Sequence, residues 1–136
     1  MTISKLSLLT LPLILFIGCS RSPKDAVDNM YDALKGGNVV KLANNTAEPM
    51  SIALMSGAIK ECSIDKNSYK DKIKLTNNCL IEKYGGLNYK DIKTTDISED
   101  KAHVEVTVIR NNKEELIALR VEKIDGKWMV SGRKKQ

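Results

Sequence analysis

Ala102-His103-Val104-Glu105-Val106-Thr107-Val108 decides the fold: apolar and polar residues alternate strictly, which sends one set to each face of an extended strand. Its neighbours extend the pattern in both directions. Upstream, Tyr89 to Ile97 is a second strand, and Ser98-Glu99-Asp100-Lys101 is the turn between the two. Downstream, Asn111-Asn112 makes a turn into Leu116 to Val121, a run apolar on both faces and so predicted to be a central strand. Asp125-Gly126 is a hairpin signal, because both residues tolerate the positive φ that a tight turn requires. Lys127 to Ser131 is the last strand, with Trp128 and Val130 on one face.

Before Leu87 the period is helical. Ser22-Pro23-Lys24-Asp25 starts a helix, with Ser as N-cap, Pro at the first helical position and an acid at the third. Val27, Met30, Tyr31 and Leu34 form one apolar stripe, and Gly36-Gly37 ends it. Asn38 caps a short second helix carrying Val39, Val40, Leu42 and Ala43; Thr46 to Pro49 is a break. Met50, Leu54, Met55, Ala58 and Ile59 mark another helix ending near Cys62, and Asp65 to Lys72 is a polar loop. From Thr76 to Tyr84 a further helix turns Cys79, Leu80 and Tyr84 inward and stops at Gly85-Gly86. Helices first and an antiparallel sheet of about four strands afterwards define an α+β architecture.

The chain begins differently. Lys5 precedes Leu6 to Cys19, an apolar run shorter than the roughly 20 residues needed to span a bilayer and interrupted by Pro12. This is the pattern of a secretory signal, and Gly18-Cys19 resembles the lipobox of bacterial lipoproteins, with Phe16 where that family most often has Leu. The resemblance implies cleavage after residue 18, acylation (palmitate included) of Cys19, and a lipid bilayer as partner. Ser20 in the position after the cysteine implies, by the enteric sorting rule, the outer membrane facing the periplasm. Residues 1–18 are then a signal peptide, 19–22 an acylated tether reaching about 10 Å, and 23–136 a single domain.

Removing Lys5 takes the formal charge from +5 to +4, spread along the chain rather than clustered in a stripe. With Phe16 gone, the aromatics are four Tyr and Trp128, too few for base-stacking platforms. No nucleic acid is expected, and the core must be mostly aliphatic.

The opening Ser22-Pro23-Lys24-Asp25-Ala26-Val27 with Met30-Tyr31-Asp32-Ala33-Leu34-Lys35-Gly36-Gly37-Asn38 looks like the first helix of nuclear-transport-factor-2-like domains. Leu119 to Val130, with its Asp-Gly-Lys-Trp turn, looks like their last hairpin. Together they resemble small bacterial lipoproteins with an uncharacterised domain of that superfamily, related to lumazine-binding-like proteins. The resemblance implies a cone: helices packed on a curved antiparallel sheet, with a pocket at the wide end that Tyr31 and Trp128 could line. A shared fold carries no function by itself.

Chemistry is sparse. His103 is the sole histidine, lies on the polar face of its strand, and has no nucleophile elbow to serve. Some superfamily members are isomerases pairing a first-helix tyrosine with an inward acid, a role Tyr31 could mimic. Glu105 and Glu122 are predicted to face solvent, and Asp91 and Asp96 flank a polar stretch, so no acid qualifies. No catalytic residue, cofactor or metal ligand set is assigned. Beyond Cys19 the chain has Cys62 and Cys79, an even number suited to a disulfide in an oxidising compartment; the alternative is two reduced, buried thiols. Arg133-Lys134-Lys135 is predicted to be a solvated basic tail. These features favour a non-enzymatic envelope module for a small apolar ligand or an envelope protein, ahead of a module that forms a homodimer through its sheet and of an enzyme.

Overall fold

The computed structural model describes residues 21–135; Cys19 and the leader lie outside them. The first helix, α1, runs Pro23–Gly36 and is started by a reciprocal cap: the Asp25 amide donates to Ser22 Oγ (3.2 Å) and the Ser22 amide to Asp25 Oδ2 (3.0 Å). It ends at Gly37, whose φ of 65° is left-handed and whose missing Cβ lets the Asn77 carbonyl and the Ile81 side chain approach. Helix α2 (Val39–Asn45) is capped by Asn38 as predicted, and its first amide, Val39 N–H, donates to Asn77 Oδ1 at 2.9 Å.

The predicted break at Thr46–Pro49 is shorter than expected. Helix α3 spans Glu48–Lys60, with Pro49 inside its first turn, where no intrahelical N–H is needed. Thr46 is buried; it pairs with Val130, and the Ala47 amide donates to the Val130 carbonyl at 2.8 Å, fastening the α2–α3 connection to the sheet. The predicted polar loop contains a 3₁₀ turn, Lys66–Ser68, and ends early: α4 runs Lys72–Tyr84, four residues ahead of the predicted start. Asp71 caps it by accepting from the amides of Ile73 and Lys74. Cys79 and Leu80 are buried as expected.

Four strands follow, β1 (Asn88–Ile97), β2 (Lys101–Arg110), β3 (Lys113–Ile124) and β4 (Lys127–Arg133), in the order β1-β2-β3-β4, all antiparallel. Among the described residues the architecture is therefore α+β, four α-helices and then an open four-stranded sheet. Irregularities interrupt β1 between Lys90 and Lys93, where Asp91 has φ 55°, and between Thr94 and Asp96. Of the three turns read from sequence, two carry positive φ, at Asn111-Asn112 and at Asp125-Gly126.

Ala102, Val104, Val106 and Val108 of β2 are buried against the helices. Beneath α1 they meet Leu119, Val121 and Val130, closing one aliphatic cluster with Met30, Leu34, Leu42 and Leu80. β3 is central, as its sequence predicts. Its outer face is open, and Leu116 is 63% exposed. The helices that contact the sheet lie on its other face, and among the described residues no helix covers this one.

Candidate functional site

A cleft of about 520 Å³ opens at the end of the sheet that carries the Asn111-Asn112 turn. The C-terminal half of α1 supplies Met30, Tyr31 and Leu34; α3 supplies Met50 and Leu54; β2 and β3 supply Val108, Ile117 and Leu119. Met50 and Leu54 stay only partly buried, walling a hollow, whereas Ala58 of the same stripe is in the core. Around the mouth stand Lys83, Arg110, Lys113, Glu115 and Arg133. The Arg110 guanidinium lies over the Tyr84 ring, 5.7 Å from its centre, and Lys83 pairs with Glu61 at 3.0 Å.

Tyr31 lines this cleft. Its ring stacks on Tyr89 with centroids 5.3 Å apart, and the Tyr89 hydroxyl in turn donates to Asp28 Oδ1 at 2.8 Å. Among the described residues nothing accepts a hydrogen bond from the Tyr31 hydroxyl. Burial pushes its pKa up to about 12, outweighing the charges of Arg133 and Arg110, which pull it down. Tyr31 is therefore a neutral phenol at ordinary pH, a donor rather than a base.

Trp128 does not line the cleft. It is buried at the start of β4, opposite Lys123, towards the other end of the sheet, with the Lys123 ammonium 5.6 Å from its ring centre. Cys62, just past α3, and Cys79 in α4 are joined in a disulfide, with Cα atoms 5.4 Å apart. His103 sits on the outer face of the sheet, its Nδ1 2.8 Å from Asp96 Oδ2, and does not reach the cleft on the inner face. Among the described residues no cluster of three or more metal-ligating side chains forms, and no helix is long and apolar enough to cross a membrane.

Two cleft residues depart from the sequence reading. Glu115 brings an acid to the mouth; it shares the inward parity of Ile117, Leu119 and Val121, a count that would have located it. Arg133 is exposed, as predicted, but it belongs to β4 and not to a tail. Val121 pairs with Val130 but Arg120 with Gly132, so Ser131 is an extra residue. This bulge reverses the alternation and sets Arg133 opposite the inward-facing Leu119. Lys134 also remains tied to the sheet, its amide donating to the Ala118 carbonyl at 2.9 Å.

Arg21, assigned to the tether by sequence, is fastened to the domain. Its guanidinium donates to Asn45 Oδ1 (2.5 Å), the Asn44 carbonyl (2.7 Å) and the Trp128 carbonyl (2.9 Å).

A search of curated proteins finds no match to the sequence. A protein-family profile matches residues 17–131, nearly the whole chain, and by that match the protein belongs to the family described as Domain of unknown function (DUF4878).

Proposed function

We propose that the protein is an envelope lipoprotein, anchored through acylated Cys19, that binds a small apolar ligand in the cleft and catalyses no reaction. The cleft carries this reading: at about 520 Å³ it falls within the roughly 300–1,000 Å³ typical of small-molecule sites, and its floor is aliphatic. Helices against one face of an irregular antiparallel sheet, with a hollow at one end, suit a nuclear-transport-factor-2-like cone. A lipobox-like Gly18-Cys19 and a disulfide between Cys62 and Cys79 suit an oxidising envelope compartment, and Ser20 favours the outer membrane. Dimerisation through the sheet is less well supported, because its outer face sets Glu105, Arg120 and Glu122 beside the exposed Leu116, a mixed rather than an apolar surface.

A neutral, environment-sensitive apolar fluorophore titrated into the full chain tests the binding reading. Saturable enhancement is expected, and Leu54→Trp, which fills the cleft from α3, should abolish it while the far-ultraviolet spectrum stays native. Enhancement that is unsaturable, or unaltered by Leu54→Trp, would remove the cleft as the site. For the anchor, labelled fatty acid should enter the wild-type protein and not Cys19→Ser; equal labelling of both would end the lipoprotein reading.

A further inference from the structure

We propose that the cleft selects an amphipathic anion, a molecule with an apolar chain and a carboxylate or phosphate head. The inference rests on the binding reading above and adds the chemical class of the ligand. Met30, Leu34, Leu54 and Ile117 offer a floor with no polar side-chain group beyond the Tyr31 hydroxyl nearby. The mouth is different: Arg110, Lys113 and Arg133 gather there against one carboxylate, Glu115. Among the described residues none of these three cations enters an ion pair, whereas the fourth, Lys83, is already engaged by Glu61. Like charges held together repel, and an anion seated among them relieves that repulsion while gaining charge-assisted hydrogen bonds. Two further features bear on the head group. Arg110 is steadied by the Tyr84 ring, and the Tyr31 hydroxyl is a donor without a partner among the described residues. A neutral apolar molecule would leave the cations unanswered, and a cationic amphiphile would add to them.

Titration calorimetry of the full chain with four ligands of one chain length separates the ideas: decanoate, decyl phosphate, decanol and decylammonium, each below its micellar concentration. Both anions should bind about tenfold or more tighter than decanol, the equivalent of one charge-assisted hydrogen bond. The cations are exposed, so the preference should shrink as salt is raised. It should collapse in Arg110→Gln/Arg133→Gln and survive largely in Arg110→Lys/Arg133→Lys, which keeps the charge. Whichever anion binds more tightly identifies the head group as carboxylate or phosphate. Equal binding of decanol and the anions would overturn the head-group inference while leaving the apolar cleft standing. Tightest binding of decylammonium would also overturn it, making Glu115 the dominant charge. Failure of all four to bind would remove the cleft reading itself.

Discussion

Reducing the Cys62–Cys79 disulfide should lower stability by about 3 kcal/mol without dissolving the fold. The bond closes a loop across a sequence separation of 17, and the loss of closure entropy for such a loop corresponds to about 3 kcal/mol at 25 °C. Unfolding entropy near 60 °C is about 2.1 cal/mol/K per residue, which over the 115 described residues makes the expected fall in Tm about 12 °C. The fold should persist because the aliphatic cluster beneath α1 does not include the bond's exposed end: Cys79 is fully buried, whereas Cys62 is only partly covered. Urea denaturation followed by Trp128 fluorescence, with and without reductant, measures the change. The dependence on urea should steepen on reduction, since the unlinked chain exposes more surface when it unfolds. A Cys62→Ala/Cys79→Ala chain should be indifferent to reductant. If both thiols alkylate in native, unreduced protein taken from cells, or if reduction leaves the midpoint where it was, the bond does not form in the cell and the reasoning fails.

Trp128→Ala should cost about 3–5 kcal/mol in urea denaturation, because the side chain is 8% exposed and leaves a cavity; a loss below about 1 kcal/mol would contradict its place in the core. Gly37→Ala should destabilise by more than the roughly 1–2 kcal/mol of a left-handed alanine, since its Cβ also meets Asn77 and Ile81; an unchanged midpoint would disprove that contact. Tyr31 holds its proton more tightly folded than unfolded, so its contribution is complete below pH 10 and is lost as pH rises from 10 towards 12; Tyr31→Phe should flatten that part of the stability–pH curve, and identical curves for the two proteins would sink the assignment. On the proposed acylation of Cys19, Arg21, two residues on and tied to the Trp128 carbonyl, should hold that end at the bilayer and leave the cleft facing water. Lys113→Cys should then react with a water-soluble maleimide as fast on vesicles as in the Cys19→Ser chain, and strong protection on vesicles would reverse the orientation.

What the sequence made legible is what depends on near neighbours. The alternation in Ala102 to Val108, the cap at Ser22-Pro23-Lys24-Asp25, the stop at Gly37 and the turns at Asn111-Asn112 and Asp125-Gly126 are each set by a few adjacent residues. They appear in the structure where the chain chemistry puts them. The early start of α4 was hidden because Lys72-Ile73-Lys74 looks like loop until Asp71 is recognised as its cap. Asn77, a weak helix former, is there because its side chain serves the first turn of α2 instead of its own helix. That purpose is invisible until two helices are placed side by side.

The cleft was least legible, for a reason visible in Arg133. Counted outward from Trp128 and Val130 by twos, the inward series passes to Gly132, and Arg133 falls outside it with the rest of a basic tail. One residue, Ser131, breaks the count. Its hydroxyl accepts from Arg120 Nε at 3.0 Å and donates to the Arg120 carbonyl at 3.2 Å, so the bulge is held by side-chain bonds to the neighbouring strand. A residue that pairs locally in this way changes the face on which everything after it lies, and it carries no compositional mark. Arg110, Lys113 and Glu115 flank the Asn111-Asn112 turn within a few positions of one another, but Arg133 comes to them only through the register of β3 with β4. The charge pattern of the mouth is thus a product of strand pairing rather than of sequence proximity. An overall formal charge of +5 on a basic but unclustered chain gave no hint that three of its cations would converge on one apolar hollow.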